Sequence, residues 1–381
     1  MRTTYQTLTA LMLSLGVYST AFAETNSVDM TPESCLQDLE YSAALILKND
    51  AGVIAKKWTQ YPEHIQKIYD QQKAKIAEVK TARDCQKAIQ PFLTTIRKGH
   101  LNIGLHENAK LKEQSSSNKS VTSESATVNK IERVTTQKLS DSTTLLTVLS
   151  FDYALYEKIQ QVITSNQDNL LNAPYLIIDL RSNEGGSDQT AQVLYKILGE
   201  AEYWHSYPQI YSSTANIAGW EGYKEMITDA DSQKYLTKVI QKMRAQPNQW
   251  IQMSSSLESK KVITAKEVLA TPQKVVILID KNCGSSCEQF VLTAQQNSRV
   301  ITMGRPTYGA LDASNLMEQL TPSKLLTIYY ASTYIHRPAG KEIDDIGIAP
   351  AIKLPKPNHD AEYNAEIQLA QRYLEHVLHT Q

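Results

Sequence analysis

Two adjacent serines, Ser285 and Ser286, stand in the segment Lys281-Asn-Cys-Gly-Ser-Ser-Cys-Glu-Gln-Phe-Val-Leu, directly after the apolar run Val275-Val-Ile-Leu-Ile-Asp280. A buried strand that stops at a Gly-Ser-Ser turn and passes into an amphipathic helix near Glu288 lifts a hydroxyl out at the mouth of that helix. There the free N–H groups and the positive end of the helix dipole can hold an oxyanion. The same pattern also describes a plain strand–helix turn with a serine N-cap, so other segments must decide. A serine is a weak nucleophile near neutral pH and needs an adjacent base. Histidine supplies one, and a carboxylate can fix its tautomer and favour the imidazolium.

Three further segments carry such groups. Arg97-Lys-Gly-His100-Leu-Asn-Ile places a histidine after a glycine where a helical pattern gives way to a strand. Asp179-Leu-Arg181-Ser-Asn183-Glu-Gly185-Gly186 ends another apolar strand in a polar turn, whose two glycines allow close backbone approach. It lacks the spacing of a dinucleotide-binding fingerprint. Glu342-Ile-Asp344-Asp345-Ile-Gly347-Ile-Ala-Pro350 offers three acids that could orient a histidine or decorate a loop.

The elements that must position these groups are legible as a change of period. Residues 30 to about 98 read as helices: one opened by Pro32-Glu-Ser, a second over Tyr61 to Val79 and a third over Ala82 to Arg97. Residues 107 to 132 are polar, with a serine-rich patch from Gln114 that reads as a linker or exposed loop. From about residue 133 strands alternate with helices. Thr143 to Phe151, Tyr175 to Leu180, Val275 to Ile279, Val300 to Met303 and Leu325 to Tyr330 read as strands. Tyr153 to Ser165, Thr190 to Leu198, Glu288 to Asn297 and Tyr363 to Thr380 read as helices. Continuous apolar runs separated by helices predict a mixed α/β sheet with crossover connections. The stretch from Glu202 to about Leu269, carrying Trp204 and Trp220, is long for a plain connection and is expected to wall a cleft.

Composition narrows the class. The 381 residues are 41% hydrophobic and 21% charged, with 39 basic against 40 acidic side chains, which gives no general attraction to nucleic acid or anionic lipid. Arg2, the apolar stretch Leu8 to Val17 and Ala21-Phe22-Ala23 form the pattern of a secretory signal cleaved after Ala23. No run approaches the roughly 18 apolar residues of a membrane-spanning helix. A periplasmic or secreted protein is expected, and four cysteines suit that oxidising setting. Cys35 and Cys85 could staple the helical region, closing a loop worth roughly 4 kcal/mol in the chain-entropy model. Cys283 and Cys287 flank the serine turn and could ring it, or Cys287 could be a small buried apolar residue. Sequence alone leaves the pairing open.

Four motifs in order, Asp179-Leu-Arg-x-Asn-x-Gly-Gly186, Gly284-Ser-Ser-x-Glu288, Gly304-Arg-x-Thr307-x-Gly309 and Ile343-Asp-x-x-Gly-Ile-x-Pro350, resemble the C-terminal processing (tail-specific) serine peptidase family. The match runs over roughly residues 135 to 355, and the Lys-Gly-His segment extends it to about residue 90. The family's Ser–Lys branch carries its lysine just after the Gly-x-Thr-x-Gly motif, where this chain has Ala310. Gly99-His100 instead resembles the branch of the tricorn protease core and the interphotoreceptor retinoid-binding protein. The resemblance implies a crotonase/ClpP-like sheet core with crossover helices over residues 133–355, preceded by a helical module at 24–98 and a His-bearing segment and linker at 99–132. A C-terminal helix over 356–381 follows.

By the same resemblance Ser285 is the nucleophile, His100 the base and Asp344 the acid that orients it. Backbone N–H groups of Ser286, Gly185 and Gly186 form the oxyanion hole, Glu288 supports the turn, and Arg181 organises its loop by ion pairing. No metal or cofactor is implied, and the partner is a peptide or protein substrate. Ser286 remains a rival to Ser285, Asp345 and Glu342 remain rivals to Asp344, and a Cys283 or Cys287 nucleophile is a lesser rival. Two departures stand out. Ala351 occupies the place of an aspartate usual after the Gly-Ile-x-Pro proline, and there is no room for the family's peptide-binding module between the His segment and the core. A non-catalytic binding protein on the same fold, or a hydrolase of small esters or amides, is the alternative.

Overall fold

The structure, a computed structural model, describes residues 29–110, 133–198, 201–263 and 272–376. The expected leader, the serine-rich patch and the last residues of the expected insertion lie outside the described residues.

Four helices open the described chain: α1 (Pro32–Asn49), α2 (Ala51–Ala55), α3 (Glu63–Lys75) and α4 (Ala82–Ile96). Threonines start the two longer amphipathic ones. Thr31 accepts from Ser34 N at 3.1 Å and Thr81 from Asp84 N at 3.1 Å, and Ser34 and Asp84 each bond back to the cap, so donors left over by the first turn are satisfied. A disulfide joins Cys35 of α1 to Cys85 of α4. The short strand β1 (Asn102–Leu105) follows.

Next come β2 (Val134–Lys138), β3 (Thr143–Val148), α5 (Tyr156–Ser165), α6 (Gln167–Asn172), β4 (Tyr175–Asp179) and α7 (Asp188–Gln192). The long connection that follows holds β5 (Ala201–Ser206), β6 (Gln209–Tyr211), α8 (Thr214–Met226), α9 (Ala230–Ala245), β7 (Trp250–Gln252) and β8 (Glu258–Ile263). The chain then returns through β9 (Lys274–Ile279), α10 (Ser286–Ala294), β10 (Val300–Gly304), β11 (Ala313–Leu320), β12 (Leu326–Tyr334), β13 (Ile352–Lys353) and α11 (Asp360–His376).

One sheet has the order β13-β10-β9-β4-β3-β2, parallel except for the antiparallel edge strand β2. Every residue of β4 and all but the first of β9 are buried, as expected for central strands covered on both faces. Phe151, Ile159, Leu194, Phe290 and Val291 fill one face, and Ala370 and Leu374 of α11 cover the other. Arg181, 1% exposed, ties α11 to the sheet by pairing with Asp179 at 2.7 Å and Glu366 at 2.8 Å. The mixed α/β core agrees with the sequence reading.

A second sheet is not evident from the sequence. It runs β1-β12-β6-β7, with β11 also on β12, and so draws strands from the His segment, the long connection and the region after α10. The N-terminal helices share one apolar core with it: Leu39, Ile46, Phe92 and Leu93 pack with Ile210, Trp220, Leu326 and Ile328. The helix expected from Glu288 begins earlier, at Ser286, and that expected over Thr190 to Leu198 starts at Asp188 and tightens into a 3-10 turn over Val193–Ile197.

Candidate active site

The strand β9 delivers the chain to the serine turn, and Ser285 takes the N-cap position of α10 with φ 55° and ψ −120°. That backbone is unfavourable for a side-chain-bearing residue, by about 1–3 kcal/mol, and persists only where its surroundings fix it. They do so in three ways. Glu288 Oε2 accepts from Ser285 N at 3.0 Å. A disulfide closes Cys283 on Cys287 across the turn, with both residues fully buried. Gly185 of the neighbouring turn lies so close that an added Cβ would stand 2.5 Å from Gly284 O and 3.0 Å from Ser285 Cβ, and its φ of 94° also favours glycine.

The two serines are not equivalent. Ser286 donates its hydroxyl to the Gly186 carbonyl at 3.0 Å, is 5% exposed and stitches the glycine turn to α10. Ser285 lines a cleft of about 770 Å³. Residues 205–208, 253–256 and 259–261 of the long connection form part of its lining, together with Leu311, Ser314 and Asn315.

Within the glycine turn the N–H of Gly185 is taken by Asn183 Oδ1 at 2.9 Å, while the Asn183 amide donates to Val148 O at 3.0 Å. Of the two glycines named from the sequence as oxyanion donors, Gly185 thus serves its own turn. Ser286 heads α10, where an N–H has no acceptor within the helix.

Glu288 is fully buried and accepts from Thr307 Oγ1 at 2.5 Å, Gly309 N at 2.7 Å and Ala310 N at 2.8 Å besides Ser285 N. Burial raises its pKa and these donors oppose the rise. The carboxyl therefore locks the loop 307–313 onto the serine turn. Tyr308 N adds a bond to Cys283 O at 2.9 Å.

The same loop holds the histidine. Tyr308 donates its hydroxyl to Lys98 O at 3.0 Å, and a Cβ on Gly99 would stand 2.2 Å from Ala310 Cβ. His100 Nδ1 meets the Ala313 carbonyl at 2.6 Å. A carbonyl only accepts, so Nδ1 carries the proton and Nε2 keeps its lone pair. Burial pulls the pKa of His100 down to about 4, partly countered by the Ala313 carbonyl, and keeps the ring neutral. His100 itself has φ 56°, in the left-handed region.

Asp344 was expected to orient His100 directly. Its hydrogen bonds run instead to Leu311 N at 2.8 Å, Asp312 N at 2.7 Å and Ala313 N at 3.0 Å. The carboxylate thus fixes the loop whose carbonyl holds the imidazole. Burial raises its pKa to about 6, with Arg97 pulling down and Asp312 pushing up. Asp345 accepts from Lys98 N at 3.0 Å, and Glu342 accepts from Gly340 N at 2.7 Å.

Sequence reasoning missed the groups that hold the His segment. Arg97, 3% exposed, makes a two-pronged pair with Asp50, both contacts at 2.8 Å, and donates to Gly99 O at 2.7 Å and His100 O at 3.0 Å. Asp50 also accepts from Val53 N at 2.9 Å and Ala331 N at 3.0 Å. Asp312, fully buried, accepts from Ile343 N and Asp344 N. In the sequence Asp50 follows Lys48-Asn49 and Arg97 precedes Lys98, so only Asp312, between Leu311 and Ala313, stands where a charge among apolar residues is a signal.

Residues 142–354 match the sequence profile of Peptidase family S41. No curated protein matches the chain. Among solved structures, mature CPAF is similar with a TM-score of 0.55 at 12% identity, over 91% of this chain and 97% of that one. CPAF complexed with lactacystin gives 0.56 at 11%, over 90% and 98%. A candidate peptidase from Parabacteroides merdae gives 0.52 at 12%, over 90% and 97%. At these identities the structural likeness speaks to the fold.

Proposed function

The chain belongs to peptidase family S41, and from that premise we propose that it hydrolyses peptide bonds in a periplasmic or secreted setting by acyl transfer through Ser285. His100 Nε2 takes the Ser285 proton as the hydroxyl attacks the scissile carbonyl, then returns it to the leaving amine. Water hydrolyses the acyl-enzyme by the same steps in reverse order. The Ser286 and Gly186 N–H groups receive the oxyanion, each contributing about 3–4 kcal/mol to the transition state.

The observation that carries this reading is the 2.6 Å contact from His100 Nδ1 to Ala313 O, in a loop that Glu288 and Tyr308 also fasten to the serine turn. It supports one tautomer, with the basic nitrogen unoccupied. Asp344 acts through the loop as a positioning residue. The absence of any helix among the described residues long and apolar enough to cross a membrane, and the two disulfides, suit the setting.

A fluorophosphonate probe followed by mass spectrometry tests the assignment. Labelling should fall on Ser285, vanish in Ser285→Ala, persist in Ser286→Ala and drop by about 10²-fold or more in His100→Ala. A folded wild type that takes no label would turn the reading toward a binding protein on this fold.

A further inference from the structure

The proposed acyl transfer leaves one acid of the cleft without a task. Asp188 lines the cleft beside Ser285, Ser286 and Gln289 and opens α7 directly after the glycine turn. Asp188 is partly buried in the cleft wall, and that burial pushes its pKa up to about 6. Among the described residues it forms no ion pair with a lysine or arginine. Of the three lysines lining the cleft, Lys260 pairs with Glu202, Lys261 stands 5.6 Å from the centre of the Tyr207 ring, and Lys242 lies in the last turn of α9. His205, also in the cleft, is held neutral by burial and by the charges of Lys261 and Arg337, which pull its pKa to about 4.

A partly buried carboxylate in a cleft wall with no ion-pair partner is half of an ion pair, and such a group is a candidate for ligand contact. Its position relative to the chemistry is also informative. Asp188 stands two residues after Gly186 and shares the cleft wall with Ser285 and Ser286, and the backbone N–H groups of Gly186 and Ser286 are the two donors assigned to the oxyanion. A cation at Asp188 therefore lies within one side-chain length of the scissile carbonyl.

We infer that Asp188 is the specificity-determining acid of this cleft and receives the lysine or arginine side chain of the substrate residue that supplies the scissile carbonyl. This rests on Ser285 being the nucleophile. The test compares peptidyl diphenyl phosphonates that carry lysine, ε-acetyl-lysine or norleucine at the reacting residue, by the second-order rate of adduct formation at Ser285. Wild type should react about tenfold or more faster with the lysine probe than with either neutral one. Asp188→Asn should bring the ratio close to one, and Asp188→Glu should restore part of it. Equal rates in wild type, or a lysine preference that survives in Asp188→Asn, would overturn the assignment. The wild-type ratio decides even if Asp188→Asn does not fold. Reaction with none of the three probes would instead remove the acyl-transfer reading, and this inference with it.

Discussion

Ser285 is held mainly by its neighbours in sequence, whereas His100 is held by residues drawn from three distant segments. The serine turn depends on Glu288 three residues on, on the Cys283–Cys287 disulfide and on the adjoining glycine turn. The histidine depends on Asp50 acting through Arg97, on Ala313 O, and on β1 pairing with β12. Each half contains a disulfide, but the two bonds differ in kind. Cys35 and Cys85 are 50 residues apart, so the bond removes much of the freedom of the unfolded chain, worth about 4 kcal/mol. Cys283 and Cys287 are 4 apart, and the same relation gives only about 2 kcal/mol. What the short bond adds is local: it constrains a turn in which Ser285 has an unfavourable backbone. Stability and chemical geometry are thus served by the same bond type at different loop lengths.

The sharpest way to break this contrast is at Arg97. Arg97→Ala leaves Asp50 buried without its cation, which should cost about 3–5 kcal/mol in urea unfolding. A loss under about 1 kcal/mol would show that the ion pair does not hold the His half. Next is the double variant Cys35→Ala/Cys85→Ala, expected to lose about 4 kcal/mol while labelling Ser285 at the wild-type rate wherever it remains folded. Cys283→Ala/Cys287→Ala should show the opposite balance. Its stability falls by about 2 kcal/mol. Its labelling rate should fall about 10–100-fold, the equivalent of letting a strained turn relax by 1–3 kcal/mol. Equal labelling in the two double variants would refute the division of labour.

The same contrast governs what was legible in the sequence. The serine half could be read because its signals are local: an apolar strand, Gly284-Ser-Ser, then a helix with Glu288 in its first turn. The choice between Ser285 and Ser286 could not be made there. It turns on where each hydroxyl points, and Ser286 donates to Gly186 O. The partner of His100 was hidden for a different reason. It is a backbone carbonyl, which any residue type could supply, so Ala313 carries no signal. Asn183, by contrast, belongs to a motif already in view, and a short amide two residues before Gly185 is a common partner for that N–H. The parallel sheet was legible from continuous apolar runs. The second sheet was not, because β6 and β7 have three residues each and pair only once distant segments have met.

The smallest expected effect bears on whether His100 is held as a neutral base. Its pKa, lowered from 6.5 to about 4, means that the unfolded chain takes up the proton first as pH falls. The contribution of His100 to stability is therefore present above about 6.5 and is lost as pH drops toward 4. Asp344, raised from 3.8 to about 6, has the opposite sign: its contribution is present below about 3.8 and is lost as pH rises through 6. Between pH 4 and 6 the two slopes oppose each other, each at most about 1.4 kcal/mol per pH unit. His100→Gln should thus lose stability relative to wild type as pH rises from 4 to 6.5, and Asp344→Asn should gain over nearly the same range. Urea midpoints at four pH values are sufficient to see either trend. A flat difference for His100→Gln would mean that the imidazole titrates as it does in water. The bond to Ala313 O would then leave the ring too solvated to remain neutral at acidic pH, and any activity at Ser285 should fall away near pH 6.5.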